Sequence, residues 1–335
     1  MSRGRRRAVR THRGPAQAAG GARRPRDLWL VIVGAVALIV AAAGVAVARH
    51  LSQDSPSNVA AFRPLPATPG SYLGVYEKDS PDSYAELTTF TRNTGLHPNL
   101  VSYYSGWHEP FRAGFATTAA RHGAVPLVQM EPTGISLSAI AAGRYDAYLR
   151  GYAAAVRSYR RPVILSFGHE MNAWWYSWGY RHASPATFIA AWRHIVTLFR
   201  AAGAGNVTWL WTVNVIDSVG GIRDPASWWP GSSYVTWIGL DGYYKQSWTF
   251  APLFGPTVKV VRALAHDPVL VAETGVAPAA DKPAMITNLF AGVHAYGLLG
   301  FVWFDAVGIR DWRLEGPAAT SAFRRGALAY WKRPS

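Results

Sequence analysis

Two glutamates sit where a glutamate is costly. Glu170 follows the apolar run Val163 to Phe167 through Gly168 and His169 and leads into Met171 and Asn172, while Glu273 closes the run Pro268 to Ala272 and leads into Thr274 and Gly275. A carboxylate at the tip of a buried strand costs several kcal/mol unless it is paired or put to use. Two of them match what cleavage of a glycosidic bond demands. One carboxylic acid protonates a poor leaving group, and one carboxylate attacks or stabilises an oxocarbenium-like centre.

Other side chains suited to a sugar fall at neighbouring strand ends: Trp107, His108 and Glu109, then Glu131, Trp211 and Asn214, Asp241 and Tyr243, Trp303 and Asp305. Aromatic faces pack on the C–H faces of pyranose rings, and Asn, His and Asp bond the hydroxyls. The chain holds 15 Trp and 16 Tyr. Any one tryptophan is more often core than platform, so Trp174, Trp175 and Trp178 beside Glu170 are better candidates than Trp192 on its helix stripe. His169 reads equally as a buried histidine that orients its neighbour or as a substrate contact. Glu77, Glu131 and Asp305 also have structural readings. There is no His-Glu-x-x-His, no cysteine and no phosphate-binding glycine loop, and the ten histidines are scattered. No metal and no cofactor is expected.

The elements that must carry these residues recur along the chain as short apolar runs: Tyr72 to Tyr76, Leu100 to Tyr104, Val125 to Met130, Val163 to Phe167, Val207 to Val213, Val235 to Leu240, Pro268 to Ala272 and Leu299 to Phe304. The intervals leave room for a loop, a helix and a return loop, which predicts an α/β fold of eight strand-helix units, a (β/α)8 TIM barrel. Ser184 to Ala202 is the clearest helix, with a serine cap, Pro185 in the first turn, a stripe of Phe188, Trp192, Ile195, Val196 and Phe199, and Gly203 as a stop. Helices are also expected from Asp281 to Gly297 and from Pro256 to His266. The fifth unit, rich in Gly and Pro from Asp217 to Ser233, offers only a short turn. In such a barrel the C-terminal ends of the strands form the active face, and Glu170 and Glu273 fall at the ends of the fourth and seventh.

Before the barrel, residues 1–27 carry nine Arg and one Asp, a large share of the formal net charge of +15. The uncharged stretch Leu28 to Ala48 is long enough to span a bilayer as a helix. Its basic flank reads as the cytoplasmic side rather than as a nucleic-acid-binding arm, which places everything after residue 50 outside the cell. A retained single-pass anchor is expected, with secretion the outcome if the chain is cut after Ala48. Residues 49–70 read as a linker and 71–335 as the catalytic domain, without disulfides.

The motifs resemble glycoside hydrolase family 26 over about residues 70–330. The resemblance rests on His169-Glu170-Met171-Asn172 followed by Trp175, on Gly239 to Tyr243, on Ala272 to Gly275 and on Trp303 to Asp305. The histidine before Glu170 is the specific feature. By similarity, Glu170 is the acid/base, Glu273 the nucleophile and Tyr243 its hydrogen-bond partner. His169 and Trp175 line the sugar site, and Trp303 forms its floor. The chain departs from the family's usual pattern at Ala173 and at Ser166-Phe167-Gly168. Members of the family cut β-1,4-mannan, mixed-linkage glucan or β-1,3-xylan.

The expectation is a monomeric, membrane-anchored, retaining endo-β-glycanase that acts on a polysaccharide, with mannan first among substrates. Its catalytic residues are Glu170 and Glu273, and its substrate-binding set is His169, Asn172, Trp175, Tyr243, Trp303, Trp107, Glu131, Trp211 and Asp241. Two other readings stand beside it: a barrel that binds polysaccharide without turnover, and a trimming hydrolase or transglycosylase that works on exported β-glucan or xylan.

Overall fold

The computed structural model describes residues 64–217, 220–246 and 248–332. Eight strands, β1 (Tyr72–Tyr76), β2 (Leu100–Gly106), β3 (Val125–Glu131), β4 (Val163–Phe167), β5 (Val207–Asn214), β6 (Trp237–Asp241), β7 (Val269–Thr274) and β8 (Gly300–Phe304), close in chain order into a barrel. Every pairing is parallel, including β1 with β8. Outside them lie α1 (Ala85–Thr94), α2 (Ala113–Arg121), α3 (Leu137–Ala141), α4 (Asp146–Tyr159), α5 (Pro185–Ala201), α6 (Phe250–Leu264), α7 (Lys282–Ala295) and α8 (Pro317–Tyr330). The expected strands and the (β/α)8 architecture are those observed. All of these elements lie within the compact unit Phe62–Ser335, which therefore owns a complete core.

Alternation along the strands sorts the barrel into layers. Tyr72, Leu100, Leu127, Ile164, Leu210, Trp237, Leu270 and Val302, one from each strand, form a packed apolar floor inside the barrel. Two residues on, the inward positions turn small or polar. At Gly74 a Cβ would meet Val302 Cγ2 at 2.7 Å, and at Gly239 it would meet Thr212 Oγ1 at 2.6 Å, so neither site admits a side chain. Ser166 and Thr212 share a hydrogen bond of 2.9 Å in this layer. Two residues further on lies the layer that opens to solvent. The residues between point outward into a second cluster, with the helices packed over them.

Two elements depart from the sequence reading. Helix α6 begins at Phe250, not at Pro256, which sits inside it. Phe250 donates its N–H to Asn288 Oδ1 at 2.7 Å, and Phe250, Leu253 and Phe254 are buried, so tertiary burial extends the helix upstream of the proline. The fifth unit has two 3₁₀ turns, Pro225–Trp228 and Ser232–Tyr234, in place of a helix. At the entry, Leu65 packs on the floor cluster and Tyr72 donates to Pro66 O at 2.7 Å. Among the described residues no helix is long and apolar enough to cross a membrane. The stretch Leu28 to Ala48 lies outside the described residues.

Candidate active site

The top layer holds the chemistry because each strand delivers its last inward residue there: Tyr76, Tyr104, Glu131, Asn214, Asp241 and Phe304 follow the floor residues at intervals of two. Strand β7 breaks this rule. Leu270 and Ala272 face inward, which would turn Glu273 out, but the pairing skips a residue: Leu240 faces Val271 and Asp241 faces Glu273. The same extra residue shows on the other edge, where Val271 pairs with Phe301 and Thr274 with Trp303. A bulge of one residue re-aims Glu273 into the barrel.

Glu273 then accepts O–H hydrogen bonds from Tyr104 on Oε2 and from Tyr243 on Oε1. Burial raises its pKa, and the two phenols pull it back down. Glu170 sits on a left-handed turn with φ 53°, strained for a side chain other than glycine and fixed by its N–H to Thr212 O at 2.9 Å. Asn214 Nδ2 donates to Glu170 Oε1 at 2.5 Å and Trp175 Nε1 donates to Oε2 at 2.8 Å. Burial, followed by the negative charge of Glu273, pushes the Glu170 carboxyl up to about 8, while Asn214, Trp175 and the Lys245 ammonium oppose the shift. The two carboxyls share one environment and titrate as a pair. The proton belongs on Glu170, because two phenol donors hold Glu273 as the carboxylate.

His169 is buried, and burial pushes it down to about 3, so the ring is neutral. Its Nε2 lies 3.0 Å from Tyr176 Oη, Tyr176 stacks on Trp178 at 4.4 Å, and Trp178 Nε1 donates to His169 O at 2.8 Å. Glu131 is raised to about 7 by burial, then by the charges of Glu273 and Glu109. Asp241 is fully buried with neither carboxyl oxygen bonded to protein. Burial and the two glutamates hold it well above the usual carboxylate range, so it is neutral. The Trp175 ring is 41% exposed beside Glu170, open to a ligand. A cleft of about 520 Å³ continues from Asn214 and Tyr243 past Lys245 to Trp248. Among the described residues no group of three or more His, Asp or Glu side chains is arranged to hold a metal ion.

Thus Glu170, Glu273, His169, Trp175, Tyr243, Glu131 and Asp241 converge on one cleft, but four of the expected residues do not. Trp303 is fully buried against Phe323 on α8, because Val302 faces inward and its neighbour must face out. The inward aromatic of β8 is Phe304, stacked on Tyr76 at 4.6 Å. Trp211 points outward for the same reason and meets Trp229 at 4.9 Å. Trp107 packs among Tyr145, Tyr148 and Phe167 in the barrel-helix layer. Asn172 is wholly occupied by backbone: its Nδ2 donates to Asn214 O and Arg223 O, and its Oδ1 accepts from Asn214 N, all at 2.9 Å. It ties the β4 loop to β5 and so sets the Asn214 that binds the acid. The residue missing from the sequence reading is Tyr104. Counting by twos from Leu100 would have found it.

Residues 144–294 match the model of glycosyl hydrolase family 26. This stretch, which carries both Glu170 and Glu273, supports an assignment to glycoside hydrolase family 26. Endoglucanase H of Acetivibrio thermocellus is 28% identical over 284 residues, 79% of this chain and 31% of that protein. The β-1,3-xylanase TXYA of a Vibrio species is 26% identical over 139 residues, 38% of this chain and 29% of that protein. The chain spans less than a third of the length of these curated relatives. Among solved structures, an endo-β-1,4-mannanase double mutant from Cellulomonas fimi superposes with a TM-score of 0.60 at 19% identity, covering 77% of this chain and 70% of that one. A family 26 β-mannanase from Bacteroides ovatus gives 0.55 at 15% identity, covering 77% and 88%. At these identities the likeness is one of fold.

Proposed function

We propose that the chain is a retaining, endo-acting β-glycoside hydrolase that works by double displacement without a cofactor. The observation that carries this reading is the unequal pair: Glu170, protonated and bonded by Asn214 and Trp175, beside Glu273, bonded by Tyr104 and Tyr243. Glu170 gives its proton to the glycosidic oxygen as Glu273 attacks the anomeric carbon and the leaving sugar departs. Glu170, now ionised, then takes a proton from water, which releases the sugar from Glu273 with its configuration retained. Neutral His169 adds no positive charge and neutral Asp241 no negative charge at that moment, and Trp175 offers a face to the sugar on the acid's side.

The likeness to mannanases from Cellulomonas fimi and Bacteroides ovatus supports β-1,4-mannan as substrate. The 28% identical endoglucanase favours a second reading, β-glucan. The uncharged stretch Leu28 to Ala48 behind nine arginines supports a membrane anchor with the hydrolase outside the cell, and we place a monomer there.

The test is to incubate residues 62–335 with mannan, mixed-linkage β-glucan and β-1,3-xylan, size the products, and follow the first anomer by proton NMR. Release of short oligosaccharides with the β-anomer first is expected, as is labelling of Glu273 by a 2-fluoroglycoside. An α-anomer first refutes double displacement. Binding without turnover or labelling converts the reading to a carbohydrate-binding barrel.

A further inference from the structure

In a parallel barrel every helix runs back against the strands, so all helix C-termini and all loops that enter strands share the face opposite the cleft. Five helices carry an arginine in their last turn: Arg92, Arg121, Arg157, Arg200 and Arg262. Arg160 and Arg161 follow in the loop into β4, and Lys332 bonds Gly70 O where the chain enters the barrel. All eight are exposed.

Helix dipoles account for some of this, since cations are favoured at helix C-termini. They do not account for the missing counter-charge. Among the described residues the six ion pairs involve none of these eight side chains. The only carboxylate in the loops that enter the strands is Asp267. The remaining described residues hold 14 Lys and Arg against 16 Asp and Glu. With Glu77, Glu170 and Asp241 protonated, the charges of the rest nearly balance, so the excess positive charge of the described barrel is concentrated on this one face.

We propose that this cationic face docks on an anionic lipid surface and so aims the cleft away from the bilayer. The point of chain entry argues for lipid as the occupant. Leu65 and Gly70 lead the chain in through this same face, with Gly70 N–H bonded to Leu298 O at 2.9 Å. Only residues 49–63 separate it from the uncharged stretch that ends at Ala48. A chain of that length reaches at most about 50 Å even when fully extended. An anchor so close keeps the face at high effective concentration over headgroups, where cations gain from a negative surface within a Debye length of about 10 Å.

The choice of lipid rests on the anchor proposed above, so the two are tested apart. Residues 62–335, which lack the anchor, are floated with vesicles of phosphatidylcholine alone or mixed with phosphatidylglycerol. Binding to the anionic vesicles at about 50 mM salt and release at about 0.5 M are expected. The triple variant Arg157→Ser/Arg160→Ser/Arg161→Ser should bind roughly a hundredfold more weakly, with its melting temperature and kcat kept. Arg310→Ser, on the cleft side, should bind as the parent does. No binding to anionic vesicles, equal binding by the triple variant, or retention on heparin with none on vesicles overturns the proposal. Fractionation of the full chain tests the anchor alone.

Discussion

Replacing Tyr104 with phenylalanine removes one of two O–H donors from Glu273 and little else, because the ring keeps its edge contact with Tyr76 at 5.1 Å. A hydrogen bond to a charged group is worth about 1.5 to 3 kcal/mol net, and about 1.4 kcal/mol corresponds to one pH unit of pKa. The donor favours the carboxylate, so its loss raises the pKa of Glu273 by about 1 to 2 pH units. Attack needs Glu273 ionised and Glu170 protonated. The acid limb of kcat/KM should therefore move up by that amount, while the basic limb, set by Glu170 near 8, holds its place or rises slightly. The variant loses most activity at low pH and recovers toward neutral pH. In Tyr104→Phe/Tyr243→Phe the two limbs approach each other and the plateau itself falls. Profiles of kcat/KM between pH 4 and 9 on the polymer and on an aryl glycoside read this directly. A uniform loss at every pH would mean that Tyr104 only packs, and a shift confined to the basic limb would place the phenols on the wrong carboxyl.

Three further outcomes follow from the same geometry. Glu77 is buried and pushed up to about 10, first by burial and then by Asp305, so between pH 4.5 and 10 folding must take up a proton. That costs about 3 kcal/mol at pH 7. Glu77→Gln, which keeps a donor toward Asp305, should raise the melting temperature by several degrees at pH 7, more at pH 8 and scarcely at pH 5. A pH-independent offset in scanning calorimetry refutes this. Lys245→Met removes a cation that favours ionised Glu170, so the basic limb should move to higher pH, and an unmoved limb removes Lys245 from the site. Trp175→Phe should lower kcat/KM about tenfold or more through the lost bond to Glu170, whereas Trp303→Phe should lower stability and leave KM unchanged. Equal kinetic losses from the two would restore Trp303 to the cleft.

What the sequence determined by itself is what local pattern can carry. Apolar runs of the right length at the right intervals specify eight strands, and the glutamates at the ends of the fourth and seventh are visible without coordinates, since the cost of burying them does not depend on the details of packing. The motif around His169 and Glu170 carried the family as well. What only the tertiary structure decided is direction. A strand exposes alternate residues to opposite faces, and a single bulge inverts that alternation. Trp303 and Trp211 look like sugar platforms in the linear chain but lie on the outer parity, while Tyr104 and Phe304, which the linear chain shows only as the ends of apolar runs, lie on the inner one. Glu273 itself reaches the cleft only because β7 carries an extra residue at Ala272. No propensity announces that residue, because it is set by how β7 registers against its two neighbours. Asn172 likewise belongs to a family motif, yet its amide is consumed by backbone from two other segments. The two glutamates were legible in one dimension, and the groups that make one an acid and the other a nucleophile arrive from β2, β5 and the loops after β4 and β6, which only the closed barrel brings together.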